Sequence, residues 1–119
     1  MIEYINKIEL QGKVHKIKLQ DFPSGKRVVL TVRTCTVIYR AEEHFVETTW
    51  HNVVVWSNNP DIPNFDQIAS LQPDSWIHIV GRVRDYKMTN AQQVETYNRE
   101  IVAREVTVVS EPEPAFDNQ

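Results

Sequence analysis

Cysteine is almost absent: Cys35 stands alone among 119 residues. One thiol closes no internal disulfide and supplies only one of the four ligands a structural zinc site needs. Glycine is nearly as scarce, with only Gly12, Gly25 and Gly81. That excludes a phosphate-cradling loop of the Gly-x-x-x-x-Gly-Lys kind, and the three fit better as two strand positions and one turn. Long apolar runs are missing too. The longest, Val53-Val54-Val55-Trp56, falls far short of the roughly 20 residues of a membrane-spanning helix. The N-terminus reads Met-Ile-Glu-Tyr, with no basic stretch leading into an apolar one, so no secretory signal is expected. These absences predict a cytoplasmic chain with no membrane partner.

Catalytic groupings are absent as well. His15, His44, His51 and His78 are scattered, with no His-x-x-x-His pair or carboxylate at ligand spacing, so no metal and no cofactor are expected. Nothing around Cys35 marks a nucleophile, and a buried or half-buried thiol is predicted there. The chain reads as a binder, not an enzyme.

What is present is an ordinary globular composition, 41% apolar and 24% charged, in a length suited to one core. The net charge of −3 is unevenly spread. Residues 1–40 hold eight Lys or Arg against three acids, whereas residues 41–81 hold six acids and no base. Residues 82–109 are close to neutral, and the last ten carry Glu111, Glu113 and Asp117. A basic first third on a near-neutral body can attract phosphate.

Strand signals dominate the chain. Ile8, Leu10, Gly12 and Val14 alternate with polar residues, and the apolar parity then shifts to Ile17 and Leu19, which predicts a β-bulge in one long strand. Phe22-Pro23-Ser24-Gly25-Lys26 predicts a turn, Val28–Ile38 a second strand, and Arg40-Ala41-Glu42-Glu43 a polar connection. A third strand is expected over about Phe45–Trp56, with His51, Val53 and Val55 inward and Trp50, Asn52, Val54 and Trp56 on the other face. One short helix is predicted over about Asn64–Leu71, with Pro63 in its first turn. A fourth strand over Trp76–Lys87, a polar hairpin over Met88–Gln93 and a fifth strand over Val94–Val109 complete the pattern. Five strands with one helix between the third and fourth is the order of an all-β, five-stranded OB-fold barrel. Residues 1–109 are read as this domain and 110–119 as a short acidic flexible tail.

The chemistry lies in aromatics on faces that do not point to the core. Trp50 and Trp56 share a face about 20 Å apart at roughly 3.3 Å per residue. Tyr86 accompanies Arg82 and Arg84, and Tyr97 opens the fifth strand. Aromatics interleaved with Lys and Arg suit single-stranded nucleic acid, since every base has a π-face and every nucleotide a phosphate. Core filling or a subunit interface is the competing account, favoured for Trp76 and evenly balanced for Trp50 and Trp56.

Five blocks, in order, carry a family resemblance over residues 5–109. They are Asn6-Lys7-Ile8-Glu9-Leu10-Gln11-Gly12, Phe22-Pro23-Ser24-Gly25, Glu47-Thr48-Thr49-Trp50-His51-Asn52-Val53-Val54, Val80-Gly81-Arg82-Val83-Arg84 with Tyr86-Lys87, and Thr96-Tyr97-Asn98-Arg99-Glu100-Ile101-Val102. The chain resembles the bacterial single-stranded DNA-binding proteins. The resemblance implies single-stranded DNA as partner, held without sequence preference in replication, recombination or repair. It also implies a homo-oligomer, a tetramer ahead of a dimer. It places Trp50 and Trp56 on stacking positions, Arg84 and Lys87 on a basic strand, and Tyr97 on a matching aromatic. Tyr39 becomes a candidate platform on the second strand, and Lys7, Lys13 and Arg33 candidate phosphate contacts. His51 and Ile8 fall at expected subunit contacts. Met88 stands where the family has a stacking Trp, Tyr86 and Asn52 where it has Arg, and Pro114-Ala115-Phe116-Asp117 only faintly echoes its acidic tip. A primosome-type accessory protein acting as a protein adaptor is the alternative.

Overall fold

The computed structural model describes residues 2–111. Its elements are β1 (Ile8–Phe22), β2 (Gly25–Arg40), β3 (Glu43–Trp56), α1 (Phe65–Ala69), β4 (Trp76–Thr89) and β5 (Glu95–Val109). The strands close into a barrel in the order β1-β2-β3-β5-β4, with β1 pairing again with β4. Every pair is antiparallel except β3 with β5, which meet in parallel at Val53–Ile101 and Val54–Val102. This is the OB-fold barrel that the strand pattern predicts.

The parity shift in β1 is a real bulge. Pairing with β2 slips between Val14 and Lys16, so His15 is the extra residue and the strand bends as it passes from β4 to β2. A second slip, between Val80 and Gly81 on β4, coils the other side of the barrel. At Gly12 and Gly81 the neighbouring backbone comes so close that a Cβ would run into the carbonyls of Arg33 and Val102 respectively. Inside lie Val14, Val28, Leu30, Val32, Val53, Val55, Ile77, Ile79, Ile101, Ala103 and Val106, with Ile62, Phe65 and Ile68 packed against them from the β3–β4 connection. The Asn64 amide ties that connection to β5 by donating to the Val106 carbonyl (2.9 Å).

Three boundaries and one environment differ from the sequence expectation. The helix covers only Phe65–Ala69, and Pro63 precedes it instead of sitting in its first turn. Met88 and Thr89 belong to β4, opposite Thr96 and Glu95, so the β4–β5 turn begins at Asn90. There the Asn90 carboxamide oxygen accepts from the Gln92 and Val94 amides, a side-chain turn that ends the strand later than polarity suggests. The β2–β3 connection is a two-residue turn, Ala41-Glu42, both with positive φ (50° and 68°). Cys35 is exposed, not buried. It lies where β2 and β3 extend beyond the barrel and pair with each other alone, so no core lies beneath it. The predicted acidic tail lies, from residue 112 on, outside the described residues.

Candidate nucleic-acid interface

Register decides which side chains meet. On β2 and β3, Arg33 lies opposite Trp50 and Arg27 opposite Trp56. On β1, Lys13 lies opposite Arg33, Lys16 opposite Thr31, Lys18 opposite Val29 and Gln20 opposite Arg27. Residues directly opposite one another in antiparallel strands project to the same side. The outer face of β1–β3 therefore carries two tryptophans, each with an arginine across from it and a row of lysines beyond.

At one end, Trp50 is 52% exposed. Its ring meets the bulge residue His15, with centroids 4.8 Å apart and planes inclined 59°. Lys13, Arg33 and Asp74 line the small hollow beside it. The Lys13 ammonium lies 5.9 Å from the centroid of Trp76, which is half-buried. At the other end Trp56 and Phe22 stand 5.7 Å apart. The Arg27 guanidinium is 5.4 Å from the first ring and 5.0 Å from the second, and its Nε donates to the Gln20 carboxamide oxygen. Between the two ends runs a hollow of about 250 Å³, lined among others by Lys18, Asn52, Val54, Tyr86, Arg99 and Glu100.

The charge of this face is largely available. Among the described residues Lys13, Lys16, Lys18, Arg27 and Arg33 have no ion-pair partner. The β4–β5 wall is different. Glu100, on β5, is buried and paired with Arg84 at 2.6 Å, and Arg84 also lies 5.8 Å over the Tyr86 ring. Lys87 pairs with Glu95 at 2.8 Å, and Arg99 with Asp85 at 2.9 Å. The Arg99 hydrogen bond holds the Asp85 carboxyl below the usual carboxylate range.

A match to the family model described as single-strand binding protein family spans residues 5–109. The chain belongs to this single-strand binding protein family. Among solved structures it is similar to the Plasmodium falciparum SSB in complex with ssDNA, with a TM-score of 0.75 at 17% identity over 92% of this chain and 99% of that one. It is also similar to the mitochondrial single-stranded DNA-binding protein Rim1 of S. cerevisiae, with a TM-score of 0.63 at 9% identity over 92% of this chain and 100% of the other. At these identities the likeness is one of fold. No curated protein sequence matches the chain.

Within this family frame, the structure gathers part of the predicted set and disperses the rest. Trp50, Trp56, Arg33 and Lys13 share the β1–β3 face. Tyr86 joins it through the hollow beside Val54. Met88 follows Tyr86 on the same side of β4, its sulfur 3.2 Å from the Asn98 amide nitrogen. Lys87 and Tyr97 lie opposite each other on the other side of that hairpin, and Tyr97 is exposed. Arg82 lines a separate hollow with Arg104 and Asp61. Lys7 stands just before Ile8, the first residue of β1, which pairs with Gly81 of β4. Tyr39, near the tip of the β2–β3 arm, is exposed with its ring 6.1 Å from that of His44. His51 points inward as expected, within 2.9 Å of the Thr34 hydroxyl; burial pushes its pKa below 6.5. It lines a cleft with Ile8, and Ile8 packs against the core.

Sequence reasoning passed over His15, Lys16, Lys18, Phe22 and Arg27 as members of this face. The signal for Lys16 and Lys18 was local, whereas Arg27 depends on register. Lys16, Lys18 and Gln20 alternate after the bulge, and the two-residue turn Pro23-Ser24 brings Gln20 opposite Arg27.

Proposed function

We propose that this single-strand binding protein holds unpaired DNA on the outer face of β1–β3 without regard to base sequence. Bases stack on Trp50 and Trp56, and phosphates rest against Lys13, Lys16, Lys18 and Arg33. Tyr86 and Met88 continue the path along the β4–β5 wall, and Tyr39 offers a further ring on the β2–β3 arm. Arg82, Arg84, Lys87, Tyr97 and Lys7 make outer contacts, two of them only once their ion pairs yield. The observation that carries the reading is the register itself, which sets a cation across from each tryptophan of β3. Aromatic faces offer each base about 1–3 kcal/mol irrespective of its identity, and the lysines meet the backbone.

Residues 1–109 form the binding domain, which catalyses nothing and works as a cytoplasmic homotetramer, His51 and Ile8 lying at subunit contacts. Its setting is replication, recombination or repair. The adaptor alternative has no feature of this face in its favour. Titration of an oligo(dT) against tryptophan fluorescence tests the binding, with quenching expected at low salt and its absence at any salt counting against the reading. Light scattering tests the assembly; a monomer both free and with DNA overturns the tetramer.

A further inference from the structure

The contacts around Arg27 differ in kind from those of the other basic residues on the face. Its guanidinium lies near Phe22 and Trp56 at once, at 5.0 and 5.4 Å from their centroids. The rings are themselves in contact, 5.7 Å apart and inclined at 42°. The Gln20 carboxamide oxygen accepts from Nε and holds the guanidinium in place. Phe22 comes from the end of β1, Arg27 from the start of β2 and Trp56 from the end of β3, so the cluster pins three strand ends together. A planar, delocalised cation can face two rings and still donate from its edge, which an ammonium cannot do.

We infer that Arg27 is a positioning residue for DNA binding: it locks Phe22 and Trp56 into a two-ring platform, so that a base meets rings already oriented. Phe22, 40% exposed, thereby becomes part of the stacking surface. An unconstrained Trp56 would lose rotamer freedom each time a base stacked on it, and the clamp removes that cost in advance. The role is distinct from phosphate contact, which Lys16, Lys18 and Arg33 supply. The inference rests on the reading of Trp56 as a base platform.

The test compares Arg27→Lys, Arg27→Gln, Gln20→Ala and Trp56→Ala with the parent chain on an oligo(dT), across a salt series. Arg27→Lys is expected to bind about fivefold more weakly, close to Arg27→Gln, because each ring contact of this kind is worth a factor of a few. The slope of log affinity against log salt stays at the parent value in both. In the free protein, with Trp50→Phe and Trp76→Phe leaving Trp56 as sole tryptophan, Arg27→Lys lowers fluorescence anisotropy by loosening the ring. Gln20→Ala, which leaves both rings and the charge in place, produces a weaker form of the same two changes and serves if the Arg27 variants fold poorly. Parent-like affinity and anisotropy in Arg27→Lys or Gln20→Ala overturn the inference. So does an Arg27→Gln slope shallower by about 0.7 that Arg27→Lys restores, since that marks a phosphate contact. If Trp56→Ala binds like the parent chain, the platform reading itself fails; if it binds weakly while Arg27→Lys does not, only the clamp fails.

Discussion

At the scale of single residues, the two tryptophans of β3 have unlike surroundings. Trp50 is half exposed and leans on His15, whereas Trp56 is tied to Phe22 and Arg27. Replacing either with Ala removes one proposed stacking partner, so each substitution should weaken oligo(dT) binding by about 1–3 kcal/mol, read by calorimetric titration. Arg84 is expected to matter for stability more than for affinity. Arg84→Ala leaves the buried Glu100 carboxylate without its cation. The Arg84 side chain is 40% exposed, so water screens part of the attraction, and a loss of about 1–2 kcal/mol in urea unfolding is expected, less than for a fully buried pair. His51 adds a pH dependence. Its pKa is lower in the folded chain than the ordinary 6.5 because burial disfavours the imidazolium. Its stabilising contribution is therefore complete above about pH 6.5 and is lost as pH falls through the folded value. His51→Gln should flatten that part of the stability–pH curve; an unchanged curve would assign the dependence to another group.

At the scale of elements, the β2–β3 hairpin sets the proposed binding face, because its turn fixes the register that puts Arg33 and Arg27 across from Trp50 and Trp56. Two-residue hairpin turns with both φ positive favour Asn-Gly or Asp-Gly. This chain has Ala41-Glu42 there, at 50° and 68°, a conformation that costs an L-residue roughly 1–2 kcal/mol. Changing the pair to Asn-Gly is expected to stabilise the protein by about 1 kcal/mol in urea unfolding while leaving oligo(dT) affinity unchanged. Lower stability would mean that the turn makes contacts beyond its own backbone. The same turn explains why sequence reading reached the strands but not their pairing. With neither Gly nor Asn in it, the turn was legible only as a polar connection, and its length could not be assigned. The faces of β3 were clear because alternation is local. Arg27 stayed outside the predicted site because its link to Trp56 exists only once the register is known.

At the scale of the whole molecule, the chain carries net charge −3 yet presents a face with five unpaired cations among the described residues. Of the acids of residues 41–81, Asp74 lines the hollow beside Trp50, while the β4–β5 wall holds Asp85, Glu95 and Glu100 in ion pairs, so overall charge is a poor guide to the local field. If four of those cations (Lys13, Lys16, Lys18 and Arg33) meet phosphates, log affinity should fall with log salt with a slope of about −2 to −3, at roughly −0.7 per phosphate. Fluorescence titrations at several salt concentrations measure it, and a slope near zero would remove phosphate contact from the mechanism.

Family, barrel and tryptophan face were all legible in the chain before folding. The alternation of β1 and β3, the parity shift at the bulge, the turn at Phe22–Lys26 and the blocks around Trp50 and Gly81 are each carried by a few neighbouring residues. Periodicity of two is a local property, and it survives in the linear sequence. What only the tertiary structure decided is which of those local pieces face one another. Arg27 against Trp56 and Phe22, Arg84 against Glu100, the division of Tyr86 from Tyr97 and the exposure of Cys35 all follow from strand register and barrel closure. These depend on turn lengths, bulges and the packing of residues distant in sequence, and no single segment contains them.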